Sequence, residues 1–274
     1  MDTIHIQGYE NIETLYENRD TIVCRAQNKQ GEICVLKTIK DNYPSTEQLA
    51  RLEYEYNILK QLNSQGILHV CKLIKHYKGH IILMENVEGM LLLDVPVFQS
   101  IRKGDKQLST YKLMLILNIF IEIAQAIEKL HNRNLIHKDI NPGIFLINQD
   151  FSEVGILDFG LTKKMNYSGK EFHNNERSEV LLPYVSPEQT GRTGRFIDYR
   201  TDFYSLGVSM YELITGQRPF DTDNILEMIH NHIAKIPVTP HMVNQDIPKP
   251  VSAIIMKLMA RTRRALSEYC RHCA

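Results

Sequence analysis

The chain has 274 residues, with 32 Lys and Arg against 32 Asp and Glu, so its formal charge is zero. That balance gives no electrostatic pull toward nucleic acid or an anionic membrane, and the length suits one large domain or two lobes. The start, Met1-Asp2-Thr3-Ile4-His5, lacks the basic and apolar regions of a signal peptide, which predicts a cytoplasmic protein.

The first third is rich in β-branched and apolar runs: Thr21–Cys24, Glu32–Lys37, Val70–Ile74 and His80–Met84. Turn residues such as Asn28 to Gly31 and Lys78-Gly79 separate them, so hairpins of an antiparallel sheet are predicted. Leu49, Leu52, Tyr56, Leu59 and Leu62 recur at helical spacing and predict a helix over Thr46–Leu62. Beyond Glu88-Gly89 the pattern turns to long helices, notably Tyr111–His131 and Thr201–Thr215. Strands first and helices afterwards predict a segregated α+β architecture.

The most apolar stretch, Leu113 to Ile127, is broken by Asn118, Glu122 and Gln125, which predicts a core helix and no membrane insertion. Cys24, Cys34 and Cys71 sit in strand-like runs, where a thiol packs as a small hydrophobe. His230 and His232 lie two apart in a helical segment, hence on different faces, which argues against a metal site.

Two short motifs organise the rest. His137-Lys138-Asp139 is followed by Asn141-Pro142 and a short apolar hairpin, and then by Asp158-Phe159-Gly160. Upstream lie Val35-Leu36-Lys37 and a helical Glu55; downstream lie Ser186-Pro187-Glu188 and Asp202-Phe203-Tyr204-Ser205-Leu206-Gly207. Together these resemble the motifs of eukaryotic-type Ser/Thr protein kinases, from about Leu15 to about Thr262. The resemblance implies a two-lobed fold: residues 1–86 a small antiparallel β lobe with one long helix, and 87–262 a larger helical lobe. The segment Ser186 to Phe220 looks most like the amino-terminal kinase domain of large bacterial proteins that carry ATPase and sensor histidine kinase regions downstream.

By that resemblance the cofactors are ATP and Mg²⁺ and the substrate is a protein. Lys37 would bind phosphates and Glu55 pair with it, Asp158 would hold Mg²⁺, and Asp139 would position the acceptor hydroxyl. The backbone of Glu85 and Val87 would meet adenine, with Val23 beside the nucleotide. Tyr167, Ser168 and Ser178 fall in the place of an activation loop.

The pattern is broken at several points. Ile144 stands where the family has a metal-binding Asn, and Leu181 where it has a Thr. The phosphate-covering loop, Leu15 to Val23, contains no glycine. These departures leave open a second reading, a pseudokinase or gene remnant that binds nucleotide or a partner without transfer. Residues 263–274 do not continue the family pattern. Codons exist for them that, read one base later, spell a string like the missing segment, including an Arg to pair with Glu188, so a frameshift near Thr262 is the expectation.

Overall fold

The computed structural model describes residues 6, 8–62, 70–76, 79–86, 89–165 and 179–261. The chain forms two compact units, Met1–Leu91 with Gly143–Gly160, and Leu92–Pro142 with Leu161–Ala274.

In the first unit, β1 (Tyr9–Glu17), β2 (Thr21–Asn28), β3 (Ile33–Ile39), β4 (Val70–His76) and β5 (Gly79–Glu85) form an antiparallel sheet in the order β1-β2-β3-β5-β4. Helix α1 (Thr46–Leu62) packs on β3, β4 and β5. Its start is set by a reciprocal cap: Gln48 N donates to Ser45 Oγ at 3.2 Å, and Ser45 N to Gln48 Oε1 at 2.8 Å. Its inner stripe is Leu52, Glu55, Ile58, Leu59 and Leu62. Four of these five are the aliphatics that make such a face stable, each worth ~1.5–3 kcal/mol when fully buried; the fifth is a carboxylate.

The central strand β3 is buried on both faces, so it reads as a continuous run, Cys34 to Lys37, without polar alternation. Cys34 and Leu36 join a cluster with Ile6 and Ala26. The period of two puts Val35 and Lys37 on the opposite face. A three-stranded sheet, β6 (Gly89–Leu91), β8 (Phe145–Asn148) and β9 (Val154–Ile156), completes the unit.

The second unit contains α2 (Pro96–Arg102), α3 (Thr110–His131), α4 (Arg200–Thr215), α5 (Ile225–Ala234), α6 (Pro240–Val243) and α7 (Lys249–Leu258). A short pair joins β7 (Leu135–Ile136) to β10 (Lys163–Lys164). Ser109 caps α3 by accepting from Lys112 N, and Ile116, Ile119, Phe120, Ile123, Ala126, Ile127 and Leu130 give it one buried face. Helix α4 is buried nearly all round. At Gly207 it meets the end of α7 so closely that a Cβ would lie 2.8 Å from Leu258 Cβ and Met259 Cγ, which explains the glycine.

The elements therefore fall as the pattern predicts: a mainly antiparallel β unit with one long helix, then helices. Two details differ. Cys71 is exposed rather than in the core, and β1 is an additional strand that carries two register irregularities. Val87, Tyr167, Ser168, Ser178, the side chain of Leu181 and the expected tail of 263–274 lie outside the described residues. Among the described residues, no helix is long and apolar enough to cross a membrane.

Candidate active site

In the first unit, β3 carries Lys37 inward, and α1 presents Glu55 to it. Lys37 Nζ lies 2.6 Å from Glu55 Oε1 and 2.5 Å from Asp158 Oδ1. All three side chains are buried, Lys37 completely. Glu55 Oε1 also accepts from Phe159 N at 2.8 Å, so the α1 carboxylate holds both the lysine and the turn that follows Asp158. The sequence thus brings together three residues separated by up to 121 positions.

Burial opposes charge on Lys37, yet the two neighbouring carboxylates outweigh it and raise its pKa above the usual lysine value. For Glu55 burial dominates and raises its pKa, against the pull of Lys37. With all three groups ionised the cluster carries one excess negative charge. Asp158 offers carboxylate oxygens, the donor type hard divalent cations take, and a Mg²⁺ site needs only one or two carboxylates beside phosphates. The donor set therefore fits Mg²⁺. Ile144 adds nothing to it: its side chain is fully buried, and its carbonyl accepts from Leu157 N at 2.9 Å.

Val23 is fully buried and stands opposite Lys37 in the β2–β3 register. Glu85 ends β5, opposite Cys34, with its side chain exposed. The glycine-free stretch folds as the β1–β2 hairpin, with Asn18 in its turn. Asn18 Nδ2 donates to Asp158 Oδ2 at 2.8 Å, a contact that no motif pointed to. The available signal was the Asn before Asp20-Thr21, a residue type that hydrogen-bonds backbone two or three positions on.

In the second unit, Asp139 follows β7 in a loop braced from α4. Asp202 Oδ2 accepts from His137 N and Oδ1 from Lys138 N, both at 2.8 Å. His131 Nε2 lies 2.8 Å from Asp202 Oδ2. The brace matters because Lys138 has φ +70°, a left-handed conformation unfavourable for a lysine. Gln189 Nε2 donates to Lys138 O at 2.8 Å, tying the Ser186-Pro187-Glu188-Gln189 turn to the same loop. Asn141 Nδ2 lies 3.1 Å from Asp139 O and 3.3 Å from its Oδ1, which fixes the aspartate carboxylate.

Glu188 accepts from Thr201 Oγ1 at 2.8 Å and borders a cavity of about 610 Å³ whose lining includes Arg195, Arg200 and Arg261. It therefore has a hydrogen-bond partner and basic neighbours among the described residues. Of the two histidines of α5, His230 is exposed and His232 buried. No cluster of three or more metal-ligating side chains occurs among the described residues.

Residues 17–271 match the family model for the protein kinase domain. The chain is 29% identical over 255 residues to a probable serine/threonine-protein kinase of Clostridium perfringens, covering 92% of this chain and 35% of that protein. It is 32% identical over 180 residues to the serine/threonine-protein kinase PksC of Streptomyces coelicolor, covering 66% of this chain and 31% of the relative. It is 28% identical over 180 residues to PknB of Mycolicibacterium smegmatis, covering 66% and 27%. The chain thus spans roughly a third of the length of these relatives.

Proposed function

Because the chain belongs to the protein kinase family, we propose that it transfers the γ-phosphoryl group of ATP to Ser or Thr hydroxyls of a protein. The observation that carries this reading is the fully buried Lys37 held between Glu55 and Asp158 at 2.6 and 2.5 Å. A structural ion pair needs one carboxylate. A lysine between two carboxylates in a cluster with excess negative charge is suited to phosphate and metal chemistry.

In this reading Lys37 binds nucleotide phosphates, Glu55 orients Lys37, and Asp158 holds Mg²⁺. When bound, the ion neutralises phosphate charge during transfer. Asp139 accepts or orients the hydroxyl proton, and the Asn141 amide keeps its carboxylate in one rotamer. The backbone at Glu85 and Val87 meets adenine, with Val23 packing beside it. The need for ATP fits a cytoplasmic location, and the residues from Ser186 to Phe220 support a place ahead of ATPase and sensor histidine kinase regions in a longer protein.

Ile144 favours a second reading, a pseudokinase that binds nucleotide without efficient transfer, because a buried aliphatic side chain offers no ligand for a second Mg²⁺. Mg²⁺-dependent nucleotide binding and transfer to a generic Ser/Thr substrate, measured on the native chain, Ile144→Asn and Asp158→Ala, separates the two. Transfer by the native chain that is lost in Asp158→Ala establishes the kinase. Binding without transfer, with transfer restored by Ile144→Asn, establishes the pseudokinase and locates the defect at the metal site. Neither binding nor transfer in any of the three overturns both.

A further inference from the structure

The turn between β1 and β2 is built by a side chain instead of by glycine. Asn18 Oδ1 accepts from Asp20 N at 2.9 Å, Thr21 N at 2.7 Å and Thr21 Oγ1 at 3.1 Å. Backbone N–H groups can only donate, so the amide oxygen is committed to the turn and the NH₂ group must face away from it. That NH₂ donates to Asp158 Oδ2 at 2.8 Å, across 140 residues of sequence. On the other carboxylate oxygen, Asp158 Oδ1 accepts from Lys37 Nζ at 2.5 Å and Gly160 N at 2.8 Å. Hydrogen-bond donors therefore engage both oxygens of Asp158.

A divalent cation needs a lone pair of that carboxylate. Lys37 and the Gly160 backbone are fixed by a buried cluster and a tight turn. Asn18 is half-buried on a hairpin turn and is the donor that can yield. Its amide hydrogens carry positive partial charge, so they repel a cation approaching Oδ2 as well as occupying it.

We propose that Asn18 is an autoinhibitory latch on Asp158, whose release of Oδ2 favours the joint binding of Mg²⁺ and nucleotide. This rests on the assignment of Asp158 to Mg²⁺ made above. The latched conformer binds the ion poorly, so apparent Mg²⁺ affinity is reduced by the fraction of molecules that are latched.

The test is a Mg²⁺ titration of the binding of a fluorescent ATP analogue to the full chain, compared with Asn18→Ser and Asn18→Asp. Serine keeps an acceptor for the turn but is too short to reach Asp158. Aspartate keeps the turn acceptor and replaces the donor with an oxygen. Thermal melts confirm that each variant folds. Release of one hydrogen bond to a charged group should lower the half-saturating Mg²⁺ concentration about tenfold in Asn18→Ser. The fall should be larger in Asn18→Asp, where a second carboxylate faces the site. Metal-free binding of the analogue should stay within about twofold for Asn18→Ser, the size of a context effect of a few tenths of a kcal/mol. An unchanged or higher half-saturating Mg²⁺ concentration in both variants, with Mg²⁺-dependent binding intact, overturns the latch and leaves the kinase reading standing. If binding to the native chain and both variants ignores Mg²⁺, the assignment of Asp158 fails and the latch with it.

Discussion

Lys37 Nζ lies 2.6 Å from Glu55 Oε1, and solvent reaches neither side chain to any useful degree. The pair ties β3 to α1, while the second carboxylate, Asp158, ties both to the turn after β9. Lys37→Met keeps the volume but leaves two carboxylates facing one another. Breaking a buried ion pair from one side costs ~3–5 kcal/mol, so the urea midpoint should fall markedly. Adding Glu55→Gln should recover part of that loss, because the remaining Asp158 charge no longer faces another. Phosphate transfer should be abolished in both variants.

The same cluster sets a pH limit. The folded-state pKa of Lys37 is raised, so its contribution to stability is fully present below the ordinary lysine value and disappears as pH rises through the higher folded value. A comparison of native and Lys37→Met midpoints should show the gap narrowing above about pH 10, the region of an unperturbed lysine.

Asp202 organises the second unit's loop by accepting from two consecutive backbone N–H groups, one of them on the strained Lys138. Asp202→Asn keeps the shape but turns one acceptor into a donor, so one of those buried N–H groups loses its partner. The cost should be ~2 kcal/mol in urea denaturation, within the range for an unsatisfied buried group. In steady-state kinetics kcat should drop while the KM for ATP changes little, because Asp139 is assigned to the acceptor hydroxyl.

Much of this arrangement is legible in the sequence, for local reasons. The limits of α1 coincide with prediction because the Ser45–Gln48 cap and the stripe from Leu52 to Leu62 agree. Short motifs single out Lys37, Glu55 and Asp158, which the fold brings into one buried cluster, and Asp139, which lies in the loop held by Asp202. β1 is not found, because its two register irregularities break the alternation that marks a strand. The contact of Asn18 with Asp158 has no local signature, since a turn asparagine reads the same whether its free amine faces water or a carboxylate 140 positions away. Cys71 is misread for a related reason: strand propensity does not say which face of β4 is covered.

Asn141 offers a separate handle on Asp139. Its amide lies 3.3 Å from Asp139 Oδ1 and 3.1 Å from the Asp139 carbonyl. With Asp139 in its proposed role, Asn141→Ala should lower kcat about tenfold, the loss of one hydrogen bond to a charged group. Asn141→Asp puts a like charge there and raises the pKa of Asp139. The acid limb of the pH–rate profile should therefore move to higher pH in both variants, and further in Asn141→Asp than in Asn141→Ala, which only loses a donor to the ionised carboxylate.

His232, invisible as a functional residue in the sequence, makes the second unit sensitive to acid. Its ring is fully buried, with Nδ1 2.9 Å from the Tyr204 hydroxyl and the ring edge-on to Phe220 at 5.2 Å. Burial pushes its pKa down to about 4, and the nearby Arg261 charge adds to that, while the backbone at Leu182 and Pro183 pulls the other way. Because the folded value lies below the ordinary histidine value, the unfolded chain takes up the proton first, and stability falls as pH drops from about 6.5 toward 4. Between pH 7.5 and pH 5 this one group should remove ~2 kcal/mol. His232→Phe keeps a ring in the site but removes one hydrogen-bond partner of the Tyr204 hydroxyl, which also has Arg261. It should cost ~1 kcal/mol at pH 7.5 yet lose less on acidification, so the two urea-midpoint curves should converge and cross as pH falls. Parallel curves would mean that His232 has the same pKa in the folded and the unfolded chain.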